Sequence, residues 1–277
     1  MKHKIKMIGL DLDGTLLNSQ KELTPYTKKV LEEALAKGII VLAATGRPIS
    51  AIPKEILQIP GMKYAVTANG ARVLEIEPGN ILSENMLPVE TAKDALNLLS
   101  DFDTIHEFFR NGTGYTSKSI VRAYEYFENP SMAEYFINTR TVVENVLEKL
   151  IESEEPVDKV QWIFDDLSEK KEAFLRLQQI KGITITGALG NNLEINKEGV
   201  DKGSALLALG ELLGIQKEEI MACGDGMNDY AMLKAVGFAV AMENGHEKLK
   251  EIADYVTVSN DEDGVAKAIC KFALEND

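Results

Sequence analysis

The apolar positions of the first eighty residues fall into short runs separated by segments of helical spacing, the pattern of a parallel sheet covered by helices. Ile5 to Leu10 reads as the first strand. Thr24-Pro25 supplies an N-cap and a first-turn proline, and Val30, Leu31, Ala34 and Leu35 recur at helical spacing until Gly38 stops the helix. Ile39 to Ala44 is too uniformly apolar to alternate, which predicts a strand buried on both faces. A third strand, Tyr64 to Ala68, ends in Asn69-Gly70. The last third resumes the rhythm with helix Lys202 to Leu213, strand Ile220 to Cys223, helix Asp229 to Val236, and strands Phe238 to Ala241 and Tyr255 to Thr257. Both ends of the chain therefore predict one α/β, doubly wound parallel sheet.

Between them the texture changes. The spacing predicts helix Val89 to Leu99, strands around Thr104 to Phe109 and Gly114 to Thr116, and helical pieces through Tyr135 and Leu150. Strand Lys159 to Phe164, helix Ser168 to Gln179 and strand Ile183 to Thr186 follow. Most aromatic residues, Trp162 included, lie in this stretch, so a second core is expected. The resulting organisation is a core of residues 1–82 and 190–277 with an α/β insert over 83–189. Pro78-Gly79-Asn80 and Gly190-Asn191 carry the turn chemistry expected of the two crossing linkers.

Composition narrows the function classes. Of 277 residues, 45% are hydrophobic and 27% charged, the balance of a chain that buries a core. No apolar run reaches the roughly 20 residues that cross a bilayer, and the start has no signal-peptide pattern, so a cytoplasmic location is expected. Cys223 and Cys270 are too sparse for a disulfide framework or a thiolate metal site. The net charge of -14 repels nucleic acid and anionic membranes, so neither is an expected partner, and no obligate protein partner is evident. His3, His106 and His246 are scattered and read as surface or packing residues.

The chemistry gathers at the carboxyl ends of the predicted core strands, where open α/β sheets bind ligands. The first strand delivers Asp11-Leu12-Asp13-Gly14-Thr15, the second Thr45-Gly46-Arg47, the third Asn69-Gly70, and the strand after the insert Gly224-Asp225-Gly226-Met227-Asn228-Asp229. Asp201-Lys202-Gly203 opens a helix just before that last strand. Any one of these alone is an ordinary turn or cap; turn formation does not require four of them in one sheet. Crowded carboxylates call for a hard cation such as Mg²⁺, with Asp11 and Asp225 as ligands and the Asp13 backbone carbonyl as a third. Asp11 can attack phosphorus, Asp13 can protonate the leaving oxygen and later accept a proton from water, and Thr45, the Gly46 amide, Lys202 and Asn228 can hold phosphoryl oxygens.

These residues resemble the motifs of the haloacid dehalogenase (HAD) superfamily of phosphohydrolases. Asp11-Leu12-Asp13-Gly14-Thr15 is similar to its first motif, Thr45 to its second, Lys202 to its third, and Gly224-Asp225-Gly226 with Asn228-Asp229 to its fourth. Ala44-Thr45-Gly46-Arg47-Pro48, Asn69-Gly70-Ala71 and the run Asn260-Asp261-Glu262-Asp263-Gly264-Val265-Ala266 resemble the Cof-type, subfamily IIB sugar phosphatases, whose α/β cap lies between the second and third motifs. Met242-Glu243-Asn244-Gly245 departs from the Gly-Asn-Ala that more often follows this methionine. The resemblance implies a Rossmann-like core with an inserted cap and a Mg²⁺-dependent phosphatase of sugars or similar small phosphorylated metabolites. It also implies Asp11 as nucleophile, Asp13 as acid and base, Asp225 as metal ligand, the Leu12 amide as a further phosphate contact, and Asp229 behind the ligands. Three other readings share parts of this chemistry: a phosphomutase or phosphotransferase, a phospho-accepting receiver, and a catalytically idle Mg²⁺-dependent sensor. A receiver needs neither Asp13 nor a large insert, and a sensor needs no full catalytic set.

Overall fold

The computed structural model describes residues 4–127, 129–187 and 189–275, so His3 lies outside the described residues. Two compact units emerge: Met1–Gly46, Ile52–Glu84 and Asp201–Asp277 form one, Arg47–Ala51 and Asn85–Val200 the other. The strands in chain order are β1 (Met7–Leu10), β2 (Ile40–Ala44), β3 (Tyr64–Thr67), β4 (Arg72–Glu75) and β5 (Ile81–Glu84). The second unit adds β6 (Thr104–Arg110), β7 (Thr113–Ser117), β8 (Arg140–Val143), β9 (Lys159–Phe164), β10 (Ile183–Thr186) and β11 (Asn192–Lys197). Back in the first unit come β12 (Ile220–Gly224), β13 (Phe238–Ala241) and β14 (Tyr255–Val256).

The first unit is a doubly wound sheet of order β14-β13-β12-β1-β2-β3-β4-β5. Neighbours from β14 to β3 pair in parallel, and β4 and β5 extend the edge antiparallel. Central β1 is fully buried because both its faces are covered. Leu10 pairs with Ala43 of β2 on one side and Cys223 of β12 on the other. The chain winds from β1 toward β3, then restarts at β12 and winds the other way, which opens a crevice between the carboxyl ends of β1 and β12. Helix Lys202–Leu212 packs Leu206 and Leu209 into the core with Met7, Leu42 and Ala222. Asp201 starts that helix through a capping box with Ser204. Gly203 lets it approach helix Tyr230–Ala235, since a Cβ there would stand 2.6 Å from the Ala231 carbonyl oxygen.

The second unit is a six-stranded sheet of order β10-β11-β9-β6-β7-β8. Phe108, Val160, Trp162, Phe164, Leu193 and Ile195 share one buried cluster with residues of helices Val89–Leu98, Val146–Ile151 and Leu167–Leu177. The alternate positions carry Glu107, Lys159, Gln161, Asn192, Glu194 and Asn196, all buried. Their charges are paired: Arg140 forms a bidentate bridge to Glu107 at 2.7 and 3.0 Å, and Lys159 bonds Glu194 at 2.8 Å.

Three features depart from the sequence-based expectation. Pro78-Gly79-Asn80 does not link the units but lies in the turn between β4 and β5, strands the sequence pattern did not suggest. Gly190-Asn191 precedes β11, which pairs with β9 and β10, so the second unit continues past 189 to Val200. β8 is also additional, and pairs in parallel with β7. These segments are short, and in β11 polar side chains hold three of the buried positions, so only partner strands reveal them as sheet.

Candidate active site

Strand ends deliver the site. Asp11 follows β1 directly, 6% exposed, with its backbone N–H donating to the Cys223 carbonyl at 3.1 Å. Leu12 buries its side chain, and its carbonyl accepts from the Leu17 amide at 2.9 Å, which turns the chain back. Gly14 has φ +85, and a Cβ would stand 2.4 Å from Asp225 Oδ2; only glycine lets this turn pass so close to that carboxylate. Thr15 Oγ1 then donates to Asp225 Oδ1 at 2.6 Å.

Lys202, fully buried at the first turn of its helix, donates to Asp11 Oδ1 at 2.5 Å and to Asp229 Oδ1 at 2.6 Å. The other Asp229 oxygen accepts from the Asp225 and Gly226 amides, both at 3.0 Å, so Asp229 braces the β12 loop as well as the lysine. Asp11, Asp225 and Asp229 bring one carboxylate oxygen each within 4.8 Å of one another. Burial, then Asp229, pushes the Asp11 carboxyl up to about 7, although Lys202 pulls the other way. Burial, followed by Asp11 and Asp229, holds Asp225 well above the usual carboxylate range. For Lys202 burial acts downward, but Asp11 and Asp229 outweigh it and keep the ammonium above its ordinary value. One ammonium therefore faces three carboxylates, and oxygen donors without sulfur or nitrogen suit a hard divalent cation. Burial pushes the Cys223 thiol up, away from thiolate chemistry.

Thr45 directly follows β2, with its amide donating to the Val66 carbonyl at 2.9 Å, and the Asn69 amide returns a bond to the Thr45 carbonyl at 3.0 Å. Asn228 Nδ2 donates to Asn69 Oδ1 at 3.3 Å, which ties the β3 and β12 loops together. Gly46 follows Thr45 in the same unit. Asp13 stands apart from the three-carboxylate group: its Oδ1 accepts from Lys21 Nζ at 2.8 Å. Sequence reasoning gave no role to Thr15, Asn69 or Lys21. For Thr15 and Asn69 the signal was their place in the strand-end motifs; Lys21 carried none.

A family model described as haloacid dehalogenase-like hydrolase matches residues 8–269. The chain belongs to that family. This HAD-type hydrolase is 30% identical over 272 residues to the 5-amino-6-(5-phospho-D-ribitylamino)uracil phosphatase YcsE of Bacillus subtilis, covering 98% of the chain and 96% of the relative. A haloacid dehalogenase-like hydrolase from B. subtilis superposes with a TM-score of 0.84 at 29% identity, covering 96% and 99% of the two chains. The subclass IIB sugar phosphatase BT4131 does so with a TM-score of 0.82 at 27% identity, covering 96% and 98%. The HAD-type hydrolase is accordingly a phosphatase acting through an aspartyl intermediate, with a carboxylate cluster able to hold a divalent metal. Among the described residues no helix is long and apolar enough to cross a membrane.

Proposed function

We propose that this phosphatase hydrolyses phosphate monoesters of sugars or similar small metabolites, with Asp11 as the nucleophile. The observation that carries the reading is the buried Asp11 carboxylate, beside Lys202 and at the crevice between β1 and β12. Asp11 attacks phosphorus and the bond to the leaving oxygen breaks as Asp13 protonates that oxygen. Water then attacks the aspartyl phosphate, Asp13 takes its proton, and inorganic phosphate leaves with the Asp11 carboxylate restored. Lys202, Thr45, Asn228 and the amides of Leu12 and Gly46 hold the phosphoryl oxygens, and Asp229 keeps Lys202 in place.

Mg²⁺ is the cation that fits best, held by Asp11, Asp225 and the Asp13 carbonyl. When bound it offsets the carboxylate charge and the charge of the phosphoryl group. Support for a small polyol or sugar leaving group comes from the second unit, which supplies none of these residues. A separate sheet and core that take no part in the phosphoryl step leave the second unit to select the leaving group. The YcsE and BT4131 relatives, named for a ribityl phosphate substrate and for sugar phosphates, support the same class. The test is a panel of phosphorylated metabolites, phosphoproteins and nucleotides assayed for inorganic phosphate, with isomerised product sought in parallel. Preference for a phosphoprotein, or isomerisation without phosphate release, would overturn the reading.

A further inference from the structure

The run Asn260-Asp261 and Asn244, in the loop that follows Met242, have no part in the phosphoryl step, yet all three reach the loop that follows Asp13. Asn244 Nδ2 donates to the Gly14 carbonyl at 2.8 Å, and its Oδ1 accepts from the Asn260 amide at 3.0 Å. Asn260 Nδ2 donates to the Leu17 carbonyl at 2.9 Å. Asp261 receives both the amide and the hydroxyl of Ser19, each at 2.7 Å. The loop is thus gripped at residues 14, 17 and 19 by side chains more than two hundred positions away.

The grip ends on a strained turn. Asn18 Oδ1 accepts from the Gln20 and Glu22 amides at 3.0 and 2.9 Å, and Lys21 takes φ +65, a left-handed conformation uncommon outside glycine. From there the Lys21 ammonium reaches Asp13 Oδ1 at 2.8 Å, with 19% of its side chain exposed and 23% of that of Asp13. An unrestrained lysine on a loop would sample several rotamers, and such a partly exposed pair would contribute little by itself. Holding the loop at residues 14, 17 and 19 and closing the turn through Asn18 fixes where the Lys21 side chain starts, so that its bond to Asp13 favours one orientation of the carboxylate.

We propose that Lys21 is a positioning residue: held by the Asn244, Asn260 and Asp261 clamp, it fixes the orientation in which the Asp13 carboxylate meets the leaving oxygen and the attacking water. The role rests on the reading of Asp13 as acid and base. A group that must serve two proton transfers in one turnover is sensitive to orientation, and misplacement by about 1 Å can cost on the order of 10²-fold in rate.

The experiment compares Lys21→Met, Lys21→Arg, Asp261→Ala and Asp13→Asn, and the double variant Lys21→Met with Asp13→Asn, on 4-nitrophenyl phosphate and phenyl phosphate. Acid quenching measures phosphoenzyme, and thermal melting checks folding. Lys21→Met should lower kcat about 10- to 100-fold with KM within about threefold, lose more on phenyl phosphate, whose leaving group needs the proton, and raise the steady-state phosphoenzyme fraction on 4-nitrophenyl phosphate. Lys21→Arg should recover most of the loss, and Asp261→Ala should show the same kcat pattern more weakly. Adding Lys21→Met to Asp13→Asn should cost nothing further. Parent-like kcat in folded Lys21→Met beside an inactive Asp13→Asn overturns the role of Lys21 alone. The same loss on either background overturns it too, because Lys21 would then act other than through Asp13. Parent-rate turnover by Asp13→Asn sinks the acid and base reading and the Lys21 role with it.

Discussion

Replacing Lys202 with Met tests whether the buried ammonium is what permits the carboxylates to be packed together. Methionine keeps the length and apolar stem but removes the charge bonded to Asp11 at 2.5 Å and Asp229 at 2.6 Å. Lys202 and Asp229 are fully buried and Asp11 nearly so, so water cannot take over as partner. Breaking one member out of such a buried network costs about 3–5 kcal/mol, a large part of the roughly 5–15 kcal/mol that holds a typical domain folded. At about 2–4 °C per kcal/mol for a unit of this size, melting should fall by roughly 6–20 °C. The measurement is urea and thermal unfolding in chelator, so that no divalent cation replaces the missing charge. Asp229→Asn alone should also destabilise, but combined with Lys202→Met it should lose about 1–3 kcal/mol less than the sum, because the double variant has one uncompensated carboxylate fewer. Turnover by Lys202→Met should drop about 10²- to 10³-fold, as expected when a preorganised donor to developing charge is removed. A Lys202→Met protein within about 1 kcal/mol of the parent, or strictly additive losses, would show that the carboxylates do not depend on this lysine.

Asp11→Asn should abolish phosphate release, since an amide does not attack phosphorus; Asp13→Asn should still form phosphoenzyme from 4-nitrophenyl phosphate and accumulate it, which acid quenching detects. Chelation should silence the enzyme and Mg²⁺ should restore it, so full activity in excess chelator would remove the cation from the site. His106 in β6 offers a pH test in the second unit: burial lowers its pKa from 6.5, with Thr104 and Glu107 opposing less strongly. The unfolded chain then binds the proton more readily than the native one. The stabilisation is complete above pH 6.5 and is lost as pH falls through the window down to the lowered native value. Unfolding followed from pH 8 to 5 should show the parent losing stability relative to His106→Gln, and parallel curves would contradict this.

Much of the site was legible in the linear pattern because its chemistry sits where strands end. Period and turn residues located β1, β2, β3 and β12, and in a doubly wound sheet the order of winding brings Asp11, Thr45, Asn69 and Asp225 to one edge without any knowledge of side-chain contacts. Helix Lys202–Leu212 was equally readable from Asp201, Gly203 and its apolar run. The family resemblance rested on those same short motifs, in which local backbone requirements and chemistry coincide, as at Gly14.

Tertiary structure decided which of those residues touch. That Lys202 spans Asp11 and Asp229, that the Thr15 hydroxyl binds Asp225, and that Asp13 turns to Lys21 are matters of rotamer and packing between segments up to about two hundred residues apart. The same holds for β11: the sequence pattern assigned no strand to Asn192–Lys197, and only its pairing with β9 and β10, with Leu193 and Ile195 entering the second unit's core, shows it. It holds for the Asn260-Asp261 run, whose partners lie near the other end of the chain. Sequence periodicity reports which face of an element is apolar and where the element stops. Which polar group meets which, across the fold, follows only once the elements have packed, because a hydrogen bond depends on ångström-scale distances that no local pattern encodes.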